Sequence, residues 1–163
     1  MTFKDFFKSK TISESLNTDA LSTEILSFLE HLSVYQSNHY GNYDSGQLYA
    51  CWNALPKDMK KQCTPSRNKY ANMFRGDDDF NIKPVMSFTW NRDAAIAGSN
   101  ALFYGANKYS FKDDIKGFVG ALDIAKLPEY FGKRLWAKIL DQFEIGDDEN
   151  EILVFGATAN QRR

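Results

Sequence analysis

The hydrophobic period changes part-way along the chain, and this limits the fold more than any other feature. From Thr18 to Gln36 the residues Leu21, Ile25, Leu26, Leu29, Leu32 and Tyr35 recur at three- and four-residue spacing. That spacing predicts an amphipathic helix whose apolar stripe must be covered. The turn formers of "SNHYGNYDSG" (37–46) follow, and a second helical stretch carries Leu48, Trp52 and Leu55 up to Pro56, which stops it. Beyond the polar connector "KDMKKQCTPSRN" (57–68) the apolar runs shorten. "KYANMFR" (69–75), "PVMSFTW" (84–90), "GFVGALDI" (117–124) and "NEILVFG" (150–156) carry β-branched or aromatic residues with turn residues nearby, and read as four strands. Asn91 can cap a helix through "RDAAIAGSNALFY" (92–104), because its side chain accepts from backbone N–H groups that otherwise lack a partner. "FGKRLWAKILDQF" (131–143) reads as a further helix. Helices first and strands afterwards point to an α+β fold rather than alternating βαβ units. His31, inside the first helix, reads as a structural or surface residue.

Composition sets the scale. A chain of 163 residues, 43% hydrophobic and 15% aromatic, can bury one sizeable core but is short for two full domains. One domain over 1–163 is expected, with 1–62 mainly helical and 63–163 strand-rich. The net charge of -1, from 20 basic and 21 acidic residues, provides no positive field for gripping nucleic-acid phosphates. Cys51 and Cys63 lack the CxxC spacing of a zinc or redox site, which fits two thiols in a reducing compartment. "MTFKDFFKSKTISESLN" holds no apolar core of the kind a signal peptide needs, and no run of apolar residues is long enough to span a bilayer. The expectation is a cytoplasmic chain that binds neither nucleic acid nor membrane.

"NMFRGDDDF" (72–80) is the most charged punctuation in the sequence. Asp77, Asp79 and Asn81 match alternate positions of a calcium loop, but Ile82 stands where the loop needs glycine and Phe88 where it needs a bidentate glutamate. No metal is expected. Arg75-Gly76-Asp77 also spells an adhesion tripeptide, a match too short to carry weight in a chain without an export signal. Two readings stay open. One is a solvated turn; the other is a phosphate clasp, in which the planar fork of Arg75 faces a diphosphate and Gly76 lets a ligand approach the backbone.

Two other stretches place polar groups in pairs. Ser87 and Thr89 stand two apart in a strand, so both hydroxyls share one face and can meet a neighbouring strand or a ligand. Glu149 and Glu151 stand two apart where an apolar strand opens. A solvated charge run accounts for Asp147, Asp148 and Glu149, but it suits Glu151 least, which abuts Ile152-Leu153-Val154. Burial there disfavours its charge unless a donor or ligand compensates.

Taken in order, Arg-Gly after a strand, Ser-x-Thr followed by a helix, and Glu-x-Glu opening a strand resemble the arginine–serine–glutamate class of mono-ADP-ribosyltransferases. That class includes bacterial toxins and enzymes that T-even bacteriophages use to modify host proteins. "NALPKDMKK…YANMFRGDD" looks like the family's helix, Leu-Pro and Tyr/Phe-Arg-Gly segment, and "SFTWNRDAAIAG" is similar to its serine motif. The likeness covers about residues 46–156.

The resemblance implies a core of two packed antiparallel sheets behind an N-terminal helical portion. It also implies NAD as substrate, with no metal, and an acceptor protein with an exposed arginine, a host bacterial protein if the chain is phage-encoded. It makes Arg75 the holder of the NAD phosphates, with Gly76, Ser87 and Thr89 beside it and nearby backbone receiving the nicotinamide amide. Glu151 would stabilise the sugar cation and hold a ribose hydroxyl, Ser87 would orient Glu151, and Glu149 would engage the incoming guanidinium. Stabilising an oxocarbenium-like sugar is work that a carboxylate does in glycoside hydrolysis too. An NAD glycohydrolase, a catalytically silent relative that binds a protein, or a small interaction protein with chance motifs are the alternatives.

Overall fold

The computed structural model describes residues 21–37, 43–71, 73–77, 82–91, 107–111, 115–146 and 150–159. Helix α1 (Thr23–Ser37) begins where Ser22 Oγ accepts the Ile25 N–H at 3.2 Å, and it buries Ile25, Leu26, Phe28, Leu29 and Leu32. Leu21 is buried ahead of the helix, so the apolar stripe starts two residues before helical geometry does. Helix α2 (Ser45–Asn53) is capped by Asp44, whose Oδ1 accepts the Gly46 N–H at 2.9 Å.

Residues 57–68, which read as a connector, instead hold helix α3 (Lys57–Gln62) and the start of helix α4 (Arg67–Ala71). High polarity concealed α3. Its two apolar contacts, Met59 and the C-cap Cys63, are one turn apart and both wholly buried, with Asp58 in the first turn and Lys60 and Lys61 in the last to suit the helix dipole. The strand expected from Lys69 therefore starts only at Phe74, where partners on both sides become available.

The strands are β1 (Phe74–Asp77), β2 (Val85–Thr89), β3 (Asn107–Ser110), β4 (Ile115–Gly117), β5 (Gly120–Asp123), β6 (Glu151–Phe155) and β7 (Thr158–Ala159). Five of them form an antiparallel sheet in the order β3-β1-β2-β6-β5, and β4 pairs with β7. The fold is α+β. The stretch 117–124 is not one strand: Phe118 and Val119 are an exposed turn between β4 and β5. After β5, a 3-10 turn (Ile124–Lys126) leads into helices α5 (Leu127–Phe131) and α6 (Lys133–Gln142), separated by Gly132 at φ 86. The helix expected through 92–104 lies outside the described residues. Among the described residues no helix is long and apolar enough to cross a membrane.

Alternation along β6 splits the core in two. Leu153 and Phe155 join the helices' Phe28, Leu29, Leu48, Trp52 and Met59, while Ile152 and Val154 join Met73, Met86 and Phe88 on the other face. Trp52 stacks on Phe155 with ring centroids 4.5 Å apart, fixing α2 over the sheet. Leaving β6, Gly156 adopts φ 68, and an added Cβ would stand 2.7 Å from Val119 Cγ2 and 3.0 Å from Tyr49 Oη. Gly156→Ala is expected to lower stability by about 1–2 kcal/mol, mostly from the left-handed backbone because exposed Val119 can yield. Urea unfolding should show an earlier midpoint at unchanged slope.

Candidate functional site

Strand register brings the separated motifs together. Thr89 pairs with Glu151 and Ser87 with Leu153, so Ser87 is the diagonal neighbour of Glu151 on the helix-facing side of the sheet. Ser87 Oγ donates to Glu151 Oε2 at 2.5 Å. Among the described residues the β1–β2 ladder is a single residue pair, Phe74 with Thr89. Where it ends, Arg75 Nη1 donates to the Ser87 carbonyl at 3.0 Å, a side chain satisfying a main-chain acceptor. Asn150, at φ 56, turns the chain into β6 in the left-handed conformation that asparagine tolerates better than most residues.

The second oxygen of Glu151 is met from the helical layer. Gln36, in the last turn of α1, donates from Nε2 to Glu151 Oε1 at 2.7 Å and to the Gly146 carbonyl at 3.1 Å. Its Oε1 accepts the Gly146 N–H at 2.9 Å. A carboxylate with a donor on each oxygen is favoured in its charged form and held in one orientation. Such a group can stabilise a cation forming next to it.

Glu151 faces a cleft of about 230 Å³ lined by Tyr35, Gln36, Tyr43, Ser45, Arg75, Lys83, Val85, Ser87 and Glu151 itself. Its walls are α1 and the start of α2 on one side, and β1, β2 and β6 on the other. A second concavity, of about 500 Å³, lies against Phe143, Glu144, Ile145 and Gly146 and shares Gln36 and Glu151 with the first. These two side chains are therefore the common wall. Tyr43 supplies an aromatic edge to Tyr35 and lies 2.5 Å through its Oη from His31 Nδ1. Burial, with smaller contributions from Cys51 and Asp44, raises the Tyr43 phenol pKa, so the phenol keeps its proton. His31 thus braces the cleft wall without lining it.

Of the residues singled out from sequence, Arg75, Ser87 and Glu151 meet in this cleft. Thr89 stands opposite Glu151 in the ladder but is not among the lining residues, and its Oγ1 accepts the Asn91 N–H at 3.1 Å. Gly76 follows Arg75 in β1 and pairs with Lys108. Glu149 lies outside the described residues. Sequence reasoning missed Gln36, Tyr35, Tyr43 and Lys83 as site residues. The helical stripe contained Tyr35 and ended at Gln36, but nothing in its spacing distinguished a cleft residue from a core or surface one.

Among the described residues no group of three or more His, Cys, Asp or Glu is placed to hold a metal ion. Cys51 and Cys63 are free. Burial pushes the Cys63 thiol up to about 12, against a partial opposing pull from Lys126, so it stays protonated at neutral pH and is a poor nucleophile. No model of a known protein family, no curated protein and no solved structure matches the chain.

Proposed function

We propose that this chain is an NAD-dependent mono-ADP-ribosyltransferase that moves ADP-ribose onto arginine side chains of a protein and releases nicotinamide. The observation that carries the reading is the convergence of Arg75, Ser87 and Glu151, far apart in sequence, in one cleft with Ser87 bonded to both of the others. On this reading the five-stranded sheet and the β4–β7 pair are the two sheets of an ADP-ribosyltransferase core, with the helices of 23–71 as its N-terminal portion.

The chemistry follows from the charges. The bond between nicotinamide nitrogen and ribose C1′ breaks with its electron pair going to the ring, so the cationic nicotinamide leaves neutral and needs no proton donor. Positive charge develops on the sugar, where the Glu151 carboxylate offsets it. A guanidinium nitrogen of the acceptor then bonds C1′ and gives up a proton to water, and Glu149 is assigned to orient that nucleophile. A guanidinium has five N–H donors, enough for Arg75 to hold the Ser87 carbonyl and also face the diphosphate. NAD is abundant in cytoplasm, the proposed location; for a phage-encoded chain this is the host cytoplasm and the acceptor a host protein.

Purified protein mixed with labelled NAD and a cell extract tests the proposal. Label on protein, removed by reagents that cleave arginine linkages, supports it. Free ADP-ribose without labelled protein would make water the acceptor and the chain a glycohydrolase. Neither product would leave a binding module. Arg75→Lys keeps the charge and loses the fork, and is expected to weaken NAD binding by about 1–3 kcal/mol in calorimetric titration. Unchanged binding in a folded variant would remove Arg75 from the site.

A further inference from the structure

Helix α1 grips the segment leading into β6 at two points, although they are far apart in sequence. Ser33 Oγ donates to the Glu144 carbonyl at 2.9 Å, and one turn later the Gln36 amide meets both main-chain groups of Gly146. The second contact fixes which way the amide faces. Because the Gly146 N–H needs an acceptor, Oε1 must lie on that side, and Nε2 is thereby turned toward the Gly146 carbonyl and Glu151 Oε1. The anchor is firm, since Phe28, Leu29 and Leu32 of the same helix are fully buried.

We infer that Gln36 is a positioning residue for Glu151: it holds the carboxylate oxygen that Ser87 does not, and so keeps Glu151 charged and aimed into the cleft. The inference deepens the transferase reading and rests on it for its consequence in catalysis. Donors from α1 and β2 on separate oxygens restrict rotation of the carboxylate about its last torsion. The bland alternative is that Gln36 merely ties α1 to Gly146, with Glu151 as an incidental acceptor.

The carboxyl titration of Glu151 separates the two. Glutamate labelled at its carboxyl carbon is followed by NMR in the full chain, with the Glu151 signal assigned by its loss in Glu151→Gln. Among the described residues, the other charged or titratable groups lining the two concavities are Arg75, Lys83, Glu144, Tyr35 and Tyr43, and all remain in the variants. Gln36→Met deletes the donor at similar length, and the Glu151 midpoint is expected to rise by roughly one pH unit. Gln36→Glu keeps an acceptor for Gly146 but sets a second carboxylate beside Glu151, so the rise should be larger. Ser33→Ala loosens the neighbouring tie without touching Glu151 and should leave the midpoint where it is.

For nicotinamide release at neutral pH, kcat should fall about tenfold in Gln36→Met, with little change in KM for NAD. The acid limb of the rate profile should move with the NMR midpoint. An unmoved Glu151 midpoint in either folded Gln36 variant overturns the inference, as does an equal shift in Ser33→Ala. If the wild-type chain releases no nicotinamide while the midpoint still moves, the positioning of Glu151 by Gln36 stands and only the transferase reading falls.

Discussion

Glu151→Gln is expected to abolish both nicotinamide release from NAD and labelling of protein, with a loss on the order of 10²–10³-fold or more, the scale for removing one well-placed electrostatic group. The replacement is nearly isosteric, so the sheet should survive. Ile152, Leu153, Val154 and Phe155 hold β6 on both faces whatever stands at its first position. Locally the change is not silent, because an amide cannot accept on both ends. Ser87 and Gln36 now approach separate oxygens, and one of them would confront an NH₂ group. Circular dichroism and thermal unfolding should therefore show a folded protein of slightly lower stability. Glu149→Ala serves as the contrast, losing transfer to arginine while keeping much of the slower reaction with water. An assay that follows nicotinamide and labelled protein together distinguishes the double loss from the single one. Equal losses in both variants would end the division of labour between the glutamates, and full activity in Glu151→Gln would end the enzyme reading.

What sequence made legible here was local. The α1 stripe could be read because helical spacing repeats over four turns, and Leu21, Ile25, Leu26, Leu29 and Leu32 are all buried as that spacing requires. Strands β2 and β6 could be read because their apolar runs are flanked by turn residues, and Ser87 and Glu151 because ladder geometry puts alternate residues on one face. β3, β4 and β7 could not, since "NKYS", "IKG" and "TA" have no period of their own and exist through their partners. Gln36 was illegible for the same reason on a longer scale. A polar residue at a helix end is ordinary, and only the return of the chain at Gly146 and Glu151 gives it work. Helix α3 was hidden by its lysines, since only Met59 within it and Cys63 at its C-cap are buried apolar contacts.

Lys69→Met is expected to destabilise the fold by about 3–5 kcal/mol, the range for stripping a buried charge of its counter-ion. Asp123, the last residue of β5, has no exposed surface, and its Oδ2 lies 2.9 Å from Lys69 Nζ. Its Oδ1 accepts the Ala125 N–H at 3.1 Å, and its own N–H donates to the Cys63 carbonyl at 2.8 Å. Methionine preserves the length and the apolar stem of lysine but leaves that carboxylate in the interior without a cation. The reciprocal change is milder: Asp123→Asn keeps an oxygen for the Ala125 N–H, and Lys69, about a quarter exposed at 28% and already over the Trp90 ring, can turn its ammonium toward water. Urea unfolding at neutral pH should therefore rank Lys69→Met well below Asp123→Asn in stability. The pair also ties α4 to β5 immediately before the chain enters β1 and Arg75, so a weakened but folded Lys69→Met should bind NAD less well although it alters no residue that lines the cleft. A loss under about 1 kcal/mol, the scale of exposed ion pairs, or the reverse ranking, would mean that water reaches Asp123 and that the bond is an ordinary surface pair.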